Sequence, residues 1–126
     1  MNDTNYIYML RCKNNAIYTG ITKDIKRRMN EHFEKDKKAA KYTKVMGAKK
    51  LETYFKTNSR QKASKLEYHI KKLSKKQKEQ FILDKNFDVF NDKINKEDYK
   101  EQQTKWKNAL NKAKMLLQWQ KIDILK

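Results

Sequence analysis

Apolar positions along the chain fall into two periods, and their order predicts the architecture. Tyr6, Tyr8 and Leu10 alternate with Ile7, Met9 and Arg11 in an aromatic and β-branched run, and Lys13-Asn14-Asn15 follows as a turn of residues that tolerate positive φ. A second run, Ala16 to Thr19, pairs back as a hairpin that Gly20 is expected to break. The period then changes: Ile25, Met29 and Phe33 stand four apart, behind Thr22 or Asp24 as cap, and predict a helix to about Lys35. Leu51, Thr53 and Phe55 alternate again as a third strand. Behind Asn58 or Ser59, Ala63, Leu66, Ile70 and Leu73 recur at helical spacing, and Ser74 with Gln77 forms a capping box for a short helix through Ile82. Residues 35–50 have no period and read as a basic loop.

Beyond Leu83 the pattern weakens. DKNFDVFNDKIN is mixed and loop-like, and Asn95 with Glu97 and Asp98 opens a longer helical pattern whose stripe is Tyr99, Trp106, Leu110, Ala113 and Leu117. The organisation expected is therefore an α+β domain over residues 1–82, with a small three-stranded antiparallel sheet flanked by helices. A helical extension over 83–126 would dock its stripe on the domain or on a second copy, making a homodimer through that helix.

Charge narrows the partner. Thirty-two Lys and Arg against 15 Asp and Glu leave a net charge of +17 over 126 residues, which favours a polyanion. Residues 1–82 hold 22 basic and 8 acidic side chains, +14, while 83–126 hold 10 and 7, +3, so the field belongs to the first part. No apolar run approaches the length a bilayer needs, and MNDTN lacks a secretory layout, so a cytoplasmic address is expected. The single cysteine, Cys12, has no internal disulfide partner and reads as a small core residue.

The polar residues set beside core faces are Tyr8, Tyr18, Arg28, His32 and Glu67. Arg28 and His32 share a helix face beside the Ile25/Met29/Phe33 stripe, and Glu67 borders the Ala63/Leu66/Ile70 stripe, where it could equally pair with Lys71 at i+4. Phosphodiester hydrolysis needs a positioned water, a cation against the growing charge on phosphorus and relief of charge on the departing oxygen, and these side chains are the parts for it.

Their order resembles the GIY-YIG nuclease superfamily, and within it small stand-alone bacterial proteins, over about Tyr6 to Ile82. The first motif stands here as Tyr6-Ile7-Tyr8 and the second as Tyr18-Thr19-Gly20, with Arg28, His32 and Glu67 following in order. Tyr6 replaces the leading Gly of the first motif, Thr19 replaces the Ile of the second, and the first Asn after Glu67 is Asn86. The resemblance implies an endonuclease acting on nucleic acid, DNA more than RNA, in repair, recombination or turnover. It implies Mg²⁺ or Mn²⁺ held by Glu67, Arg28 on the scissile phosphate, and Tyr8 and Tyr18 lining the site, one of them positioning or deprotonating water with help from His32. Arg27, Lys41 and Lys44, with Lys71, Lys72, Lys75 and Lys76, would track the backbone. The rival readings are a binding module that keeps the fold without turnover and a structural partner acting through the tail.

Overall fold

A computed structural model describes residues 3–33 and 47–102. Four antiparallel strands form one sheet in the order β2-β1-β3-β4: β1 Asn5–Cys12, β2 Ile17–Thr22, β3 Ala48–Thr57 and β4 Lys100–Glu101. Among the described residues three α-helices join it: α1 Ile25–Phe33, α2 Arg60–Lys71 and α3 Lys75–Asp84. The class is α+β, as expected. None of the helices is long and apolar enough to cross a membrane, among the described residues.

The central strand β1 is buried on both faces, which splits the core in two. Ile7 and Met9 point to one side with Phe55, Ala63, Leu66, Ile70 and Phe81, under α2 and α3; Tyr8 and Leu10 point to the other with Met29, Leu51 and Tyr54, beside α1. Side chains alternate across a strand, so one four-residue run, Ile7–Leu10, serves both layers. Cys12, also fully buried, closes the strand as a core residue.

Local signals account for the helix starts. Asp24 Oδ1 accepts from Arg27 N at 3.1 Å and Ser59 Oγ from Lys62 N at 3.0 Å, while Ser74 and Gln77 form the reciprocal box read from the sequence. In the β1–β2 turn Asn15 adopts φ 71°, a conformation Asn tolerates.

Three expectations are corrected. Gly20 does not break the second strand, which runs on to Thr22 with Gly20 paired to Tyr8. The sheet has a fourth strand, in which Lys100 and Glu101 pair with Lys56 and Phe55; two residues carry no readable period. The pattern opening at Asn95 makes a single 3-10 turn, Lys96–Asp98, and then turns extended. Asn95 does cap it, accepting from Glu97 N, but Tyr99 is drawn into the core, where its hydroxyl donates to Lys62 O at 2.8 Å. Phe90 and Ile94 enter the same core, so the segment after Leu83 packs on the sheet without being a long helix there. The rest of the predicted stripe, Trp106, Leu110, Ala113 and Leu117, lies outside the described residues, as do Lys41 and Lys44.

Candidate active site

On the α1 side of the sheet four of the five candidate residues meet. Tyr8 rises from the middle of β1, Tyr18 from β2, and Arg28 and His32 from α1, one turn apart as their spacing requires. The rings of Tyr8, Tyr18 and His32 contact each other with centroids 5.4–6.2 Å apart. Gly20 makes room for this. A Cβ added there would stand 2.4 Å from the Tyr8 hydroxyl oxygen, so the strand opposite Tyr8 must lack a side chain for the phenol to lie across it.

The Tyr8 hydroxyl is the hub. It lies 2.8 Å from His32 Nε2, and Arg28 Nε donates to it at 3.4 Å. Arg28 Nη1 also donates to Glu31 Oε1 at 3.0 Å. Burial, with the Arg28 charge adding to it, depresses the His32 pKa to about 4, so the imidazole is neutral near pH 7. Burial pushes the Tyr8 phenol well above its ordinary value of 10.0, and the Arg28 hydrogen bond pulls partway back. A phenol that accepts from Arg28 and faces a neutral imidazole is satisfied by donating its proton to Nε2, which assigns the ring proton of His32 to Nδ1.

Glu67 comes from α2. Its side chain is one quarter exposed, its nearest ion pair is Lys71 at 3.5 Å, and its charge reaches the Tyr8 hydroxyl. The i+4 pairing read from the sequence is present, while α2, which carries Glu67, packs on the Ile7/Met9 face of the sheet, so Glu67 does not join the Tyr8, Tyr18, Arg28 and His32 contacts and acts on Tyr8 through its charge. Among the described residues no group of three or more His, Cys, Asp or Glu gathers. The donor set on offer is one hard, accessible carboxylate oxygen pair, which suits an ion such as Mg²⁺ that keeps several waters and takes the rest of its shell from substrate phosphate.

The basic candidates spread out. Arg27 is exposed on α1, and Lys71, Lys72, Lys75 and Lys76 are exposed across the end of α2 and the start of α3. Lys75 is partly occupied, meeting Glu79 at 2.6 Å and the Asn15 carbonyl. Two site features were missed from the sequence. Glu31 reads as one more helix charge, although its i+3 spacing from Arg28 was a usable signal, and it is 8% exposed. Gly20 reads as a breaker because the strand across from it is not visible in a linear pattern.

The GIY-YIG catalytic domain family model matches residues 4–80, which span β1 through most of α3 and hold all five candidates. The chain belongs to the GIY-YIG family. It is similar to a UPF0213 protein of Fusobacterium nucleatum, 48% identical over 77 residues, covering 61% of this chain and 75% of that one. A UPF0213 protein of Pectobacterium carotovorum is 44% identical over 79 residues, covering 63% of this chain and 78% of its own. The solution NMR structure of a UPF0213 protein from Bacillus halodurans is 34% identical, with a TM-score of 0.43, over 72% of this chain and 96% of that one. In the GIY-YIG chain described here, the two motif tripeptides are neighbours in space: Tyr8 of the first faces Gly20 of the second across the β1–β2 pair.

Proposed function

We propose that the protein is a metal-dependent endonuclease that hydrolyses phosphodiester bonds in nucleic acid, with DNA as the substrate. The observation that carries this reading is the buried, hydrogen-bonded cluster of Arg28, Tyr8 and His32, whose central phenol also feels the charge of the partly accessible Glu67 carboxylate. A binding module has no need to bury a neutral histidine against a tyrosine proton.

The chain's own residues divide the work. Arg28, held by Glu31 through Nη1, brings its guanidinium charge to a non-bridging oxygen of the scissile phosphate. Tyr8 lies between Arg28 and His32, so its oxygen takes a proton from the attacking water as its own proton passes to His32 Nε2. With nothing bound, this transfer is uphill, since burial and the Arg28 charge hold the imidazole neutral. A phosphate against Arg28 cancels that charge and raises the proton affinity of His32, so the relay strengthens when substrate arrives. Tyr18, packed against both rings, fixes their angle. A divalent ion bound by Glu67 would stabilise charge on the phosphate and on the departing oxygen. Arg27 and the lysines at the end of α2 and start of α3 supply affinity through the backbone without reading sequence.

The test is incubation of the purified protein with labelled single-stranded, duplex and branched DNA and with RNA, in Mg²⁺, Mn²⁺ or EDTA. Cleavage that needs the metal and disappears in Glu67→Gln, with binding retained, supports the enzyme; tight binding with no cleavage on any substrate overturns it in favour of the binding module.

A further inference from the structure

We infer that the outward face of α2 is a stacking platform for an unpaired nucleobase of a single-stranded DNA segment, with Tyr68 as its aromatic surface. This rests on the nucleic-acid reading above and goes beyond it by naming the strand geometry that the chain holds.

Tyr68 and Leu83 are the large apolar side chains left exposed among the described residues, and Tyr68, at 54%, sits in a basic setting. At about 100° per residue, Leu66, Ile70 and Ala63 face the core, which puts Tyr68 nearly opposite them, at the crest of the helix. Lys65 and Lys72 fall on one flank of the crest and Lys71 on the other. The Lys72 ammonium stands over the Tyr68 ring, 4.5 Å from its centroid. An aromatic face ringed by lysines is the arrangement that holds a strand by its phosphates while a base lies on the ring.

The ring is also braced, which a chance surface tyrosine is not. His69 meets Tyr68 edge-on with centroids 5.2 Å apart, and His69 in turn contacts Phe90, a buried core residue, at 6.4 Å. An exposed ring tied through a second ring to the core loses little freedom when a base stacks on it, so more of the contact energy appears as affinity.

Tyr68 stands away from the core-facing Ala63, Leu66 and Ile70, so its ring is open to a strand that approaches α2 from solvent. Bases inside a duplex have their faces covered by neighbouring pairs and cannot use such a surface. The ligand that satisfies Tyr68 therefore has at least one unpaired nucleotide.

Binding of fluorescent oligonucleotides in EDTA measures the platform without turnover. The set holds single-stranded DNA, the same strand of RNA, the strand with abasic positions, and duplex. Tyr68→Ala should weaken binding of the base-bearing single strand by roughly 5- to 100-fold. Tyr68→Phe, which keeps the ring, should stay near wild type, and neither change should move duplex or abasic binding. Fluorescence of a purine analogue placed along the strand should be quenched at one position by wild type and released by Tyr68→Ala. Equal losses on duplex and single strand, no loss in Tyr68→Ala, or stronger quenching and affinity on RNA than on DNA each overturn the proposal. Metal-dependent cleavage, assayed separately, keeps the two readings apart: a wild type that binds as described but never cleaves loses the enzyme and keeps the platform, and one that cleaves while Tyr68→Ala binds normally does the reverse. Tyr68 is exposed, so circular dichroism of each variant should match wild type.

Discussion

The Tyr8 hydroxyl and His32 Nε2 stand 2.8 Å apart although the residues are 24 apart in the chain, one on the central strand and one on the helix beside it. That contact makes Tyr8 a phenol with somewhere to send its proton. Removing either end separates position from proton transfer. Tyr8→Phe keeps the ring packing and should lower the single-turnover cleavage rate about 10²- to 10⁴-fold, the range for losing a general base. His32→Gln should lower it less and shift the pH at which the rate rises. Equal rates in Tyr8→Phe and wild type would remove Tyr8 from the chemistry.

Gly20→Ala is a test of space alone. The backbone at Gly20 is ordinary strand, so alanine adds no backbone strain, but its methyl would stand 2.4 Å from the Tyr8 oxygen and 2.6 Å from the carbon that bears it. Tyr8 must then tilt away from His32. Cleavage should fall at least tenfold with a stability change of about 1–3 kcal/mol, the usual cost of overpacking. The double variant with Tyr8→Phe should lose little beyond Tyr8→Phe by itself, because both changes act on one hydroxyl.

Glu31 is a positioning residue for Arg28. Glu31→Gln weakens the bond at 3.0 Å and leaves the guanidinium freer to swing from Tyr8 toward phosphate. The expected signature is a split: KM falls, since an uncompensated cation binds the backbone more tightly, while kcat also falls as the Tyr8 contact loosens. Stability should drop by about 1–3 kcal/mol. A rise in KM with kcat unchanged would contradict this role.

Acid should destabilise the protein in two successive windows. His32 titrates near 4 when folded and 6.5 in an open chain, so the unfolded state takes up a proton first as pH falls. Stability from this group is intact above 6.5, declines between 6.5 and 4, and is level below, a loss on the order of 3 kcal/mol. Glu79, held by Arg11 at about 2 against an ordinary 4.5, continues the decline from 4.5 downward; being one-third exposed, it contributes less. Urea midpoints between pH 7.5 and 3 should show this, and His32→Gln should flatten only the upper window.

Ending the chain after Leu83 would strip Phe90, Ile94 and Tyr99 from the core, each worth about 1.5–3 kcal/mol of burial. That truncation should melt at least 10 °C lower than one ended after Gln102, or fail to stay soluble. Equal melting curves for the two would show that the segment after α3 adds nothing to the core.

Local information in the chain was enough to place the first three strands, the three helices and their caps, because each is a short-range matter, but not the fourth strand or the fate of the pattern after Asn95. Alternation in Tyr6–Arg11, a fourfold spacing in Ile25/Met29/Phe33, and the Ser74/Gln77 box all act within a few residues, and the backbone obeys them. The motif order also placed Tyr8, Tyr18, Arg28 and His32 on the right elements. What tertiary structure decided is what lies across from what. Gly20 is a strand residue because Tyr8 covers it, Tyr99 leaves its helical pattern because a buried site and the Lys62 carbonyl outbid one more turn of helix, and Glu31 is a buried partner because α1 turns that face to the sheet. Those outcomes depend on contacts between residues far apart in sequence, such as Thr57 with the Asp98 carbonyl, 41 positions on, and burial at such contacts outweighs local propensities of less than about 1 kcal/mol per residue.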